Sequence, residues 1–107
     1  MDASLEIEAW QWDNLCWNGS LYGQAAKVVE FCEKAVALAS EYDDYHQSRG
    51  LARALTGNAQ GAIEDFEFFV ERAGEWQEDE KQQAQGWIET LKKGENPFTE
   101  EVLKKLR

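Results

Sequence analysis

Proline occurs once in this chain of 107 residues, at Pro97, so little in the backbone forbids long helices. Histidine also occurs once, and cysteine twice. Two cysteines are too few for a disulfide scaffold. Cys16 and Cys32 lie among apolar residues at helical spacing, and they read as buried thiols of a reducing cytosol. A Cys16–Cys32 disulfide is the alternative if the two helices face one another. A metal site with His46 lacks the close ligand pair that would nucleate it. No apolar run approaches the roughly 20 residues that a bilayer crossing needs. The stretch from Met1 to Glu8 is acidic and its apolar residues are interrupted, which is unlike a signal peptide. These readings give a cytoplasmic chain with no membrane association.

Cations are scarce as well. Eleven Lys and Arg stand against 21 Asp and Glu, a formal charge of −10 that repels phosphate and argues against nucleic acid. No glycine-rich phosphate loop, Gly-x-Ser-x-Gly or His-Glu-x-x-His is present. With one histidine and two apolar-flanked cysteines, no nucleophile–base pair assembles either. The expectation is a protein that is not an enzyme and needs no cofactor.

What is present is bulk and periodicity. Hydrophobic residues make up 43% and aromatics 12%, enough for one globular domain. Slid along itself by 34 positions, the chain matches without a gap. Leu21 falls on Leu55, Gly23 on Gly57, Ala25 on Ala59, Glu30 on Glu64, Val36 on Val70 and Ala39 on Ala73. Small residues coincide where Cys16 meets Gly50. Such a period is the mark of a stacked repeat.

Each unit has the same grammar: a helical stretch, a glycine with a polar residue, and a second helical stretch. The spans are Trp12 to Tyr22 with Ala25 to Ala39, then Tyr45 to Thr56 with Ala59 to Ala73. Gly57 suits a helix end that needs a left-handed residue, and Asn58 suits the next N-cap. Ala62, Ile63, Phe66, Phe69, Val70 and Ala73 recur at steps of three and four, giving one apolar stripe.

With Trp12, Leu15 and Cys16 in the first unit, and Arg49-Gly50 with Ala62-x-x-x-Phe66 in the second, the chain resembles the tetratricopeptide repeat family. Gly19 and Arg53 stand in the large-residue slots, His46 replaces the Trp, and Ser40 and Gly74 replace the closing proline. The resemblance covers about residues 9–73. It implies an all-α, right-handed α-solenoid of antiparallel helix pairs. The units are about 9–42 and 43–76, with a partial third at 77–98. It also implies an ion pair across the second unit, because repeats with Arg-Gly in the first helix often carry Ala-Ile-x-Asp-Phe in the second, here Ala62 to Phe66.

The third unit has a helical stripe from Glu78 to Lys93, and its glycine comes late, at Gly94. Thr99 or Asn96 then caps a short helix within 98–107, whose Phe98, Val102, Leu103 and Leu106 are expected to cover the last apolar face.

In this family the first helix of each unit lines a concave groove that holds a peptide. By register the groove here includes Trp10, Asp13, Trp17, Ser20 and Leu21, then Asp44, Gln47, Leu51, Ala54 and Leu55, then Lys81, Gln85, Ile88 and Glu89. Trp10 and Trp17, seven apart, share a helix face and would serve as anchors. The alternative is that they pack on Leu5 and Ile7 or on a preceding repeat. One subclass of the family grips C-terminal carboxylates with groove Lys and Asn; Asp13 and Trp17 stand in the first of those positions, which argues against that clamp. An acidic groove with aromatic anchors favours a basic or apolar protein segment. Homodimer formation through the groove or the N-terminal face is the rival.

Overall fold

A computed structural model describes residues 7–107, and among them all regular structure is helical. Leu5, one of the residues considered as a floor for the tryptophans, lies outside this range, as does most of the stretch from Met1 to Glu8. The helices are α1 (Ala9–Leu21), α2 (Ala25–Leu38), α3 (Asp43–Leu55), α4 (Ala59–Arg72), α5 (Glu78–Lys92) and α6 (Glu100–Leu106), with a single 3₁₀ turn at Glu75–Gln77. No helix among the described residues is long and apolar enough to cross a membrane.

Local chemistry explains most boundaries. Gly23 and Gly57 end α1 and α3 at φ +84° and +91°, a region that side-chain-bearing residues avoid. Only three residues, with the glycine in the middle, separate α1 from α2 and α3 from α4, so each pair runs antiparallel. The Asn58 side chain accepts the Gly61 N–H at 3.0 Å, and the Thr99 hydroxyl accepts the Val102 N–H at 3.3 Å. Two helices begin earlier than the apolar spacing predicts. α1 starts at Ala9, where the Gln11 side chain accepts the Glu8 N–H at 2.9 Å. α3 starts at Asp43, where two acids meet the positive end of the helix dipole.

The cysteines correct the sequence reading. Cys16 and Cys32 are not free thiols but a disulfide joining α1 to α2, and both are 0% exposed. The repeat register gives the reason. Thirty-four residues on stand Gly50 and Phe66, and a Cβ added to Gly50 would lie 2.7 Å from the Phe66 ring. This is the point of closest approach between the helices of a pair. The second unit fills it with glycine against an aromatic edge, the first with two sulfurs. Gly19 has a similar role: a Cβ there would lie 2.5 Å from Val28, so a large residue does not fit between α1 and α2.

The main core runs the length of the molecule, from Leu21 and Leu51 through Phe66, Phe69 and Trp87 to Phe98 and Leu103. Phe98 packs against Trp87 and Phe66, with ring centroids 4.8 and 6.0 Å apart. α6 also departs from its expected place as a cover for the final apolar face alone. Its C-terminal end reaches back to α1, where Arg107 donates two hydrogen bonds to the Leu21 carbonyl at 2.9 and 2.7 Å. The guanidinium lies over the Tyr22 ring.

The disulfide closes a loop with a sequence separation of 16. The oxidised protein, unfolded in denaturant, should resist thiol alkylation and should take up two alkyl groups once reduced. Replacing both cysteines by Ala should lower stability by about 3 kcal/mol in urea titrations, the effect of opening a loop of this length.

Candidate functional site

A charged network ties α2, α3 and α4 together. Asp65 of α4 is 2% exposed. Arg49 of α3 grips it bidentately, with Nε and Nη2 at 3.0 and 2.8 Å from the two carboxylate oxygens. Arg53 donates a third bond at 3.2 Å. Both arginines also reach Glu33 of α2, at 2.8 and 3.3 Å. His46 completes the cluster. Its Nδ1 lies 3.4 Å from Asp65, and its Nε2 is 2.7 Å from the Ser40 carbonyl, which can only accept. Its ring stacks on Phe68. Burial alone would lower the pKa of Arg49, but Asp65 and Glu33 outweigh it and raise that pKa. Burial likewise works to raise Glu33, and the two guanidiniums overcome it and hold the carboxyl below its ordinary range.

This network binds α2, α3 and α4 together and offers little chemistry to a ligand. Both guanidiniums are engaged by carboxylates and the central carboxylate is sealed. His46, Cys16 and Cys32 do not converge: the sulfurs bond each other, and the imidazole is engaged by Ser40 and Asp65. Among the described residues no group of three His, Cys, Asp or Glu side chains is placed to hold a metal ion.

The residues expected by register to line a groove, on α1, α3 and α5, fall into two halves. The first is acidic. Asp13 of α1 is partly buried, and one of its carboxylate oxygens has no hydrogen-bond partner. Burial pushes its pKa from 3.8 to about 6; hydrogen bonding with Ser48 works against this and the charge of Asp44 adds to it. Asp44 is also raised, by burial and then by Asp43 and Glu80. Tyr45 is raised by burial and by Asp13, Tyr42 and Asp44. Three helices thus bring acidic charge to one locality. Trp17, Gln47 and Lys81 are partly buried, and Gln85 is exposed.

The second half is apolar and covered. Leu21 is 1% exposed and Leu51 0%, and Ile88 is also buried. They belong to one cluster with Phe98 and Leu103, edged by Trp17, Ala54, Leu55, Val102 and Leu106. The register expectation of an open groove at Leu21 and Leu51 does not hold: both are buried in one cluster with Phe98 and Leu103 of the chain's own C-terminal segment. The cover is incomplete. A cleft of about 350 Å³ remains between Leu103, Leu55, Ala26 and Ser20. The Ser20 hydroxyl is buried without a partner.

Trp10 stands apart from Trp17. It is 53% exposed, its indole donates to Glu8 at 2.7 Å, and it lines a separate apolar cleft of about 320 Å³ with Ile7, Gln11, Asn14 and Leu15. Glu80, Ser48 and Tyr45 escape a reading by register alone. Glu80 reads as one of several acids in a first helical turn, and only its approach to Asp44 distinguishes it.

Removing the Asp65 carboxylate strands two cations in the interior, so Asp65→Ala should destabilise by about 3–5 kcal/mol in denaturant titrations. Glu33→Gln, at a half-exposed position, should change stability by less than about 1 kcal/mol. Asp13 behaves in the opposite sense to a salt-bridged carboxylate. Its folded pKa lies above its unfolded value, so its stabilising contribution is present below about pH 4 and is lost as pH rises through about 6. Asp13→Asn should therefore raise the Tm at pH 7.5, and the difference should vanish below pH 4.

The chain matches no protein-family model, no curated protein and no solved structure, so its functional reading rests on its own geometry.

Proposed function

We propose that this chain is a non-catalytic interaction module, built as a right-handed tetratricopeptide-like solenoid. It holds a basic or apolar protein segment on the face of α1, α3 and α5. The observation that carries the reading is that Asp44 of α3 has both Asp13 of α1 and Glu80 of α5 near enough to interact electrostatically, while Trp17 of α1 edges the apolar cluster. Burial raises the pKa of Asp13 and of Asp44, and neighbouring acids add to both, so a cationic partner would relieve that repulsion. The 34-residue recurrence of helix, glycine turn and close-approach pair supports the repeat architecture. Saturation of the only histidine supports a role without catalysis.

A second reading is self-association. The cleft of Ile7, Trp10 and Leu15 is apolar and open, a surface suited to burial against another copy. Sedimentation at rising concentration separates the two. A stable dimer protecting Trp10 would favour it over the module.

The main test uses pull-down with wild type and with Trp17→Ala, followed by titration of the recovered segment. Binding should weaken by about tenfold in Trp17→Ala, as for an aromatic anchor. It should fall with added salt and from pH 7.5 to pH 5, where Asp13 takes up a proton. Unchanged binding in Trp17→Ala and at both pH values would overturn the proposal.

A further inference from the structure

We infer that residues 98–107 are a built-in competitor, and that the surface beneath them is the docking site of a cationic amphipathic helix from the partner. The inference rests on the interaction reading above and goes further, naming the partner's chemistry and what regulates access.

Four observations lead there. First, the segment shares one buried cluster with Leu21, Leu51 and Ile88 through Phe98 and Leu103, and its Leu103 lines a cleft with Leu55 and Ser20. Second, its chemistry is that of a ligand for an acidic body. It carries Lys104, Lys105 and Arg107 with Glu100 and Glu101, a net +1, which leaves −11 on the rest of a chain whose total is −10. Phe98, Val102, Leu103 and Leu106 supply the apolar side. Third, the fit is partial, with the cleft of about 350 Å³ and the unpartnered Ser20 hydroxyl left beneath it. A longer helix could fill the one and bond the other. Fourth, the segment is separable. α6 has seven residues, too few to be a stable helix alone, and it is joined to α5 through exposed residues around Gly94 at φ +82°. Its distal anchor is the Arg107 grip on the Leu21 carbonyl, with a further pairing from Arg107 to Glu100 at 3.1 Å.

A tethered segment competes at an effective concentration of about 1 mM. An external helix of like chemistry therefore binds weakly to the resting chain and tightly once the tether lets go.

The test uses the full wild-type chain and a synthetic peptide of residues 96–107 as the probe. With about 1 mM peptide, hydrogen exchange at the amides of Val102 to Leu106 should accelerate several-fold while α1 to α4 stay protected. A full-length chain carrying Leu103→Ser and Arg107→Ala should bind the peptide about tenfold more tightly than wild type, because its own segment competes less. Unchanged exchange in wild type at saturating peptide would overturn the inference, and that result needs no variant to fold. A concentration-dependent dimer in which two copies trade their C-terminal segments would also overturn it, by assigning the surface to a second copy. If a recovered partner binds with its expected loss in Trp17→Ala while the Val102 to Leu106 amides stay protected, the interaction reading stands and this inference fails.

Discussion

A carboxylate sealed from water has to find its counter-charge inside the protein. Asp65 finds it in two guanidiniums from the helix before it. Because the same arginines extend to Glu33, one cluster fixes three helices at once, across the boundary between the first pair and the second. The first pair needs no such arrangement. Trp12 and Phe31 stack where His46 and Asp65 stand in the second, with ring centroids 5.1 Å apart. The two pairs share a backbone plan and solve their contacts with unlike chemistry. The charged solution extends to Glu33 of α2 and so links the two pairs, while the apolar one joins α1 to α2 alone.

The same division runs through the groove that register assigns to α1, α3 and α5. Its acidic half leaves Asp44 and Glu80 exposed and Asp13 partly buried. Its apolar half does not stay open, because leucines of three helices side by side form a surface that any nearby apolar segment will cover. The nearest segment is the chain's own. α6 is thus a consequence of the face as much as a cap upon it, and Phe98, wedged among the aromatic rings, sets where the cover begins.

Much of the helical plan was legible in the residues. The apolar spacing of α4, the glycines at 23 and 57, and the caps at Asn58 and Thr99 are local signals with local causes. The Arg49–Asp65 pair followed from a family resemblance and holds in the geometry. The disulfide was not legible from composition, which speaks to compartment and not to where helices touch. The register contained the missing clue: Cys16 coincides with Gly50, and Cys32 with Phe66. The site was less legible. Leu21 and Leu51 have the right positions for a groove, yet whether a surface is open depends on a segment up to 86 residues away in sequence. The acidity of Asp13 depends on side chains from another helix, which no local pattern reveals.

The bond between Cys16 and Cys32 has a bearing on how the molecule comes apart. When the chain loses its fold, the loop between these residues remains closed, so the first pair gains less disorder than the second. The helices from α3 onward carry no cross-link, so the bridged hairpin is the one part of the molecule whose disordered state the bond restricts.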